Sequence, residues 1–211
     1  MTLRFGLLAG AFAISSLIPL GANGAVPDID VGEAAQVVNL VYGMPESTNQ
    51  PRWWRAGLDV FHNETVVTKE SSASRVVFKD ASQLSIGPTS LIKLNNFVYN
   101  PNPSASGVSI AFIQGVFRFV SGKTSTENYK ITTPAANIGL RGTAFTVYIL
   151  QDGSEYISVE SGTITVTCHR GVTRVVSAGQ MTYFRSPKES SSIPQQSVPI
   201  PAVIQMDTLL H

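Results

Sequence analysis

An all-β fold is predicted for this chain, a single domain of short strands arranged as a sandwich, a jelly roll or a short β-solenoid. Three observations predict it. Val, Ile, Thr, Phe and Tyr recur in short runs broken by Gly, Pro, Asp, Asn and Ser. Several runs alternate, with Phe145, Val147 and Ile149 on one face and Ile164, Val166 and Cys168 on another. No stretch past residue 30 sustains the i, i+3, i+4, i+7 spacing of an amphipathic helix over three turns.

Along the chain, residues 1–25 are expected to be a cleaved secretory signal peptide. Arg4 is their one charge, and Phe5 to Leu20 holds apolar and small residues with Pro19 near its end. Ala22-Asn23-Gly24 fits a small-residue cleavage site, and cleavage after Ala25 fits too. A membrane span needs about 20 apolar residues, and this run is shorter and interrupted by proline. The product is expected to be periplasmic or secreted, in a bacterium, with no later segment apolar enough to cross a bilayer. Residues 26–185 form the expected β-domain. Its strand candidates are Ala35–Tyr42, Thr65–Thr68, Arg75–Phe78, Gln83–Ile86, Leu91–Leu94, Ser109–Ile113, Val116–Val120, Tyr129–Ile131, Ala144–Leu150, Tyr156–Glu160, Thr163–His169, Thr173–Ser177 and Met181–Phe184. Met44–Trp54 is polar and proline-containing, which predicts a loop. Residues 186–211, rich in Ser, Pro and Gln, are expected to be a mobile tail.

A weak internal repeat runs through the domain. Asp80-Ala-Ser-Gln-Leu84-Ser-Ile86 precedes a turn and Leu91–Leu94; Asp152-Gly-Ser-Glu-Tyr156-Ile-Ser-Val159 precedes a glycine turn and Thr163–Val166. Asp-Ala-Ser and Asp-Gly-Ser are turn formers, because the Asp carboxylate accepts backbone N–H groups and Gly permits positive φ.

Charge excludes one class of partner. Arg4 apart, the chain carries as many basic as acidic residues, 15 less one against 14, with no basic stripe. Nucleic-acid binders carry such a stripe, so none is expected as a partner. Cys168 is the only cysteine, so no internal disulfide forms, and its alternating run predicts a small buried apolar residue. His62, His169 and His211 have no second His or Cys at ligand spacing, and no metal or other cofactor is expected. Ser-Gly-Lys-Thr at 121–124 resembles the end of a phosphate loop, but Phe117 stands where its first glycine belongs, which predicts a plain turn. No Ser-centred nucleophile elbow is present.

Two features remain as candidate contacts. Arg141 sits at the entry to an apolar strand. Either it pins a corner by bonding backbone carbonyls, or it presents its fork to an anion. Trp53 and Trp54, next to Arg55, either close over the core or form an exposed patch for a glycan or partner. A hydrolase would need Asp80 and Asp152 as a carboxylate pair within roughly 10 Å; the turn reading of both is the simpler one.

The order of motifs resembles the FecR domain family. It runs through Gly32-Glu-Ala, Gly57-Leu-Asp-Val60 with Glu64 and Thr68, Phe78-Lys-Asp80-Ala-Ser, Ile86-Gly-Pro-Thr-Ser90 and Gly115-Val-Phe-Arg-Phe119-Val-Ser-Gly122-Lys. It continues with Thr132-Thr133-Pro134-Ala, Ile138-Gly139-Leu-Arg141-Gly142-Thr143-Ala-Phe and Gly162-Thr-Ile-Thr-Val166. The resemblance spans about Val31 to Phe184. It implies an exported all-β domain of bacterial cell envelopes without known catalytic residues. Gly115, Thr133, Pro134, Gly139, Gly142, Thr143 and Gly162 are the fold-marking positions. The namesake also has a cytoplasmic, sigma-factor-binding segment and a transmembrane helix, and neither is expected here. The function expected is therefore a non-enzymatic binding or scaffold domain with an envelope protein as partner, in envelope signalling. The alternative is a small-molecule or glycan binder with Arg141 as the anion contact.

Overall fold

Alternate residues point inward along nearly every strand, the period-2 pattern of a sheet with one buried face. The computed structural model describes residues 28–98, 100, 102, 106–169 and 171–185. The expected signal peptide, the expected tail and part of the 99–105 loop lie outside them. The strands are β1 (Asp30–Val38), β2 (Val41–Met44), β3 (Arg52–Trp53), β4 (Leu58–Phe61), β5 (Thr65–Thr68), β6 (Ala73–Phe78), β7 (Gln83–Ile86), β8 (Leu91–Val98), β9 (Gly107–Val120), β10 (Tyr129–Thr132), β11 (Ala136–Ile149), β12 (Glu155–Cys168), β13 (Thr173–Ser177) and β14 (Met181–Phe184). One 3-10 turn, Thr126–Asn128, leads into β10.

All fourteen belong to one continuous sheet. It folds over because three strands of 14 residues each, β9, β11 and β12, take part in both halves. One half runs β3-β2-β5-β8-β9-β10-β11-β12-β13. The other runs β4-β1-β6-β7-β9-β11-β12-β14. Every pairing is antiparallel except β9–β10. Of the expected architectures, this fits the sandwich and not a solenoid, whose coils stack in parallel.

The inward faces of both halves share one apolar cluster. Phe112 and Phe117 stand on either side of the β9 bend, their rings stacked 4.4 Å apart. Phe119 from one half meets Tyr129 from the other, edge to face at 5.6 Å. Large aromatics fill the fold-over, where burial of apolar area contributes most.

The bends differ from the sequence-based expectation. Ser109–Ile113 and Val116–Val120 are predicted as two strands, as are Tyr156–Glu160 and Thr163–His169; each pair is one strand. The glycine between them is a kink, not a turn: Gly115 has φ +108 and Gly162 has φ +72. Gly142 (φ +59) faces Gly162 across the β11–β12 pair, and the register shifts there. A side chain at Gly162 would run into the carbonyl of Gly142. The predicted strand Ala35–Tyr42 is two strands, split at Asn39-Leu40, where Asn39 has φ +56.

The predicted repeat holds at its turns. Phe78 N–H bonds Ser82 O and Ala81 N–H bonds Phe78 O; Leu150 and Gly153 make the same bonds with Ser154 and Leu150. Asp80 Oδ1 accepts Ser82 N–H at 2.9 Å, and Asp152 Oδ1 accepts Ser154 N–H at 2.9 Å.

Candidate binding surface

The short β3 is held by a buried carboxylate. Glu64 is fully buried, and both its oxygens are engaged. Oε1 accepts Arg52 Nε at 2.9 Å and Trp54 Nε1 at 3.1 Å; Oε2 accepts Arg52 Nη2 at 2.8 Å and Phe61 N–H at 2.9 Å. The bidentate fork is the strong form of such a pair. Arg52 also lies over the Phe61 ring, 4.3 Å from its centre, and donates to Asp59 O at 2.6 Å. Gly43 leaves the room: a Cβ there would overlap Glu64 Oε1 and stand 2.5 Å from Trp54 Nε1.

This anchor splits the tryptophan pair. Trp54 points inward, 5 % exposed, and Trp53 points outward, 63 % exposed. Trp54 thus closes over the core, while Trp53 is exposed on the surface. Trp53 begins a row of cross-strand neighbours on the outer face: Trp53 opposite Tyr42, Tyr42 opposite Val67, Val67 opposite Leu91. The rings of Tyr42 and Trp53 meet edge to face at 5.4 Å, and Lys69 Nζ lies 5.6 Å from the Tyr42 centroid. A bulge between the Leu91–Gln114 and Ile92–Phe112 pairs leaves Ile113 beside the row, 40 % exposed. The row is largely apolar and contiguous, with Lys69 at its edge, a composition that suits a protein contact surface.

Arg141 is not where the corner-pinning reading needs it. Its residue is exposed, and its guanidinium makes no hydrogen bond or ion pair among the described residues. The corner is built by its neighbours instead. Thr143 Oγ1 donates to Thr163 O at 2.8 Å and accepts Arg141 N–H at 3.1 Å, while Ser121 Oγ accepts Thr143 N–H at 3.0 Å. Gly139 lies on the open outer face, with only Thr165 near its Cβ position. Thr133 Oγ1 accepts Ala136 N–H at 3.1 Å, closing the turn that Pro134 begins.

The two aspartates serve turns. Asp80 is buried; besides Ser82 it accepts the Tyr129 hydroxyl at 2.6 Å, and Tyr129 Oη in turn accepts Gly122 N–H at 2.9 Å. Burial, and then the Asp80 carboxylate, push the Tyr129 hydroxyl well above the ordinary tyrosine range. Asp152 is exposed in its own turn, where Ser154 donors hold its carboxyl below the usual range. Ser121–Thr124 is a turn around Asp80, since Lys123 N–H donates to Asp80 O at 2.7 Å. Cys168 is buried. His169 is exposed, its Nε2–H donating to Pro134 O at 2.8 Å. Among the described residues no three His, Cys, Asp or Glu side chains converge on a metal position. An open hollow of about 450 Å3 lies over β1, β4 and β6, with Lys79 bonded to Asp30 at 2.9 Å along it. Such an open depression suits surface contact better than the enclosure of a small ligand.

Sequence reasoning missed the Glu64 anchor, noting Glu64 only as a family marker. The predicted loop Met44–Trp54 instead contains β3, and Trp54 follows that strand; its burial is set by the long-range bond of its Nε1 to Glu64, which no local pattern announces.

The folded-over sheet and its outward aromatic row define a class of all-β domain whose buried polar groups serve the fold. A family model described as FecR protein matches residues 64–165, and that stretch, Glu64 to Thr165, is a FecR domain. No curated protein matches the chain. Two crystal structures reported as "a putative anti-sigma factor from Parabacteroides distasonis ATCC 8503", at 2.50 Å and 1.65 Å resolution, are similar in fold. Each is 13 % identical and covers 56 % of this chain, with TM-scores of 0.47 and 0.46. The matched region spans 53 % of the solved chain in each case, about half its length.

Proposed function

We propose that this protein is a non-enzymatic binding or scaffold domain of the bacterial cell envelope, acting in envelope signalling through an envelope protein partner. The outward row Trp53–Tyr42–Val67–Leu91 carries the reading. It offers an exposed tryptophan on a rigid strand, the residue most enriched at binding hot spots, and the Glu64 anchor preorganises it at little entropic cost. The FecR domain match supports the regulatory setting. The turn roles of Asp80 and Asp152 weigh against a hydrolase. Export to the periplasm is part of the same proposal and rests on residues 1–25.

The two tryptophans separate binding from stability. Tagged protein is crosslinked in cells, recovered from the envelope fraction and its partners identified by mass spectrometry. Trp53→Ala should lower partner recovery at least about tenfold, since hot-spot truncations cost roughly 2 kcal/mol or more, with an unchanged melting temperature. Trp54→Ala should instead destabilise the fold by about 3–5 kcal/mol, as for other buried aromatics. Full partner recovery by Trp53→Ala would end the assignment of this surface. A second reading, anion or glycan binding at Arg141, is favoured by its exposed guanidinium, which has no partner among the described residues. There Arg141→Lys would abolish ligand binding in a folded protein and leave partner recovery intact.

A further inference from the structure

The half of the sheet that ends in β14 carries an aromatic row on the face turned away from the core. β14 pairs the start of β12: Thr182 and Phe184 face inward beside buried Glu155, and Met181 and Tyr183 face outward. Tyr183 opposes Tyr156, Tyr156 opposes Tyr148 of β11, and Tyr148 opposes Val116 of β9. The Tyr156 and Tyr183 rings lie 4.6 Å apart. Val116 and Tyr148, with Tyr156 packed against them, form a small apolar cluster separate from the core. Val116, Tyr148 and Met181 are buried, and Tyr156 and Tyr183 are half-buried. Every described strand belongs to the two facing halves, so none forms a further layer over this row. Apolar clusters apart from a main core lie, as a rule, beneath a further segment of chain.

One segment of this sequence has the position and the chemistry to cover the row. The described residues end at Arg185, directly after Tyr183 and Phe184, and the sequence continues from Ser186 to His211. Ile193 to Met206 carries no charge, and Val198-Pro199-Ile200-Pro201-Ala202-Val203-Ile204 is the longest unbroken apolar run after Arg185. Left in water, such a run forfeits the stabilisation that burial of its side chains supplies. Pro199 and Pro201 have no N–H, so the run is unsuited to extending the sheet as a strand beside β14. Proline favours polyproline II instead, a conformation that packs on aromatic-lined surfaces. From β14 to β9 the row crosses three strand spacings, about 15 Å. Ser186 to Ser197 spans about 35 Å when extended, so the run reaches every tyrosine of the row. The Trp53 row lies on the other half of the sheet, at its far edge.

We propose that the Val198–Ile204 run docks on the outward Val116–Tyr148–Tyr156–Tyr183 row of the same molecule, its prolines and aliphatic side chains against the tyrosine rings. The contact is independent of the Trp53 row. Tethering sets an effective concentration in the millimolar range, so a contact with a dissociation constant of only about 0.1 mM is closed about 90 % of the time.

The test is NMR on the intact chain, with the methyls of Val198, Ile200, Val203 and Ile204 observed against the ring protons of Tyr148, Tyr156 and Tyr183. Nuclear Overhauser contacts between the two sets are expected, and they should persist on dilution. A mixture of two differently labelled samples separates contacts within a molecule from contacts between copies. In parallel, nitration by tetranitromethane is mapped by mass spectrometry. Tyr156 and Tyr183 should react about tenfold faster in Val198→Asp/Ile200→Asp than in the wild type, the factor that such an occupancy sets. Tyr42, on the other half, should react at the same rate in both proteins. Absence of the methyl-to-ring contacts overturns the proposal. So do contacts seen only between copies, which would mean an exchanged tail, and nitration of Tyr156 and Tyr183 at equal rates in the two proteins. Should the double variant not fold, the contacts in the wild-type chain decide the matter.

Discussion

Glu64→Ala should cost about 3–5 kcal/mol of folding stability, the range for removing one partner of a buried ion pair. The magnitude follows from what is left behind. Arg52 would remain part-buried over Phe61 without its carboxylate, and Trp54 Nε1 and Phe61 N–H would lose their acceptors. Each orphaned donor adds a desolvation cost of about 1–3 kcal/mol, and these terms overlap. Glu64→Gln keeps an acceptor for some of the donors but not the charged fork, so its loss should be smaller. Urea unfolding at constant m-value measures both. A loss under about 1 kcal/mol for Glu64→Ala would mean the cluster relaxes around the gap. The anchor also bears on function, because Arg52 and Trp53 are the whole of β3. Loosening Glu64 should reduce partner recovery even with the Trp53 side chain intact.

The second large effect is expected at the bend of β11 and β12, and a pair of variants isolates its cause. Gly142 and Gly162 both have positive φ, so alanine at either costs about 1–2 kcal/mol in backbone conformation. Their surroundings differ. Beyond Gly142 the Cβ position is open, whereas at Gly162 it overlaps Gly142 O and lies 2.8 Å from Arg141 O. Those atoms are backbone on the neighbouring strand and cannot swing aside. Gly162→Ala should therefore destabilise by more than about 3 kcal/mol, adding overpacking to the backbone term, and Gly142→Ala by about 1 kcal/mol. Thermal and urea unfolding of both variants give the comparison. Equal losses would show that conformation alone matters and that the strands separate freely at the bend.

The burial anchors were only half legible. Alternation located most strands, and the Asp-x-Ser turns at Asp80 and Asp152 were readable because an Asx turn needs only local residues. Asp80 also binds Tyr129, 49 positions away, and no local pattern announces that bond. Arg52 and Glu64 are 12 residues apart, yet their pairing depends on β2 lying between β3 and β5. Of the two readings of Arg141, only the corner-pinning one came from its apolar neighbours in sequence, and strand alternation turns its side chain outward.

The amino-acid order by itself determined the all-β class, the strand periodicity, the turn chemistry and the FecR resemblance, since each is a property of a few consecutive residues. The tertiary structure decided which glycines bend a strand and which end one, which tryptophan faces out, and which carboxylates are buried. Those outcomes depend on what a distant strand places opposite a residue. Gly162 kinks β12 because β11 lies against it, Trp53 is exposed because Glu64 claims Trp54, and Glu155 is sealed in because β14 closes over the start of β12.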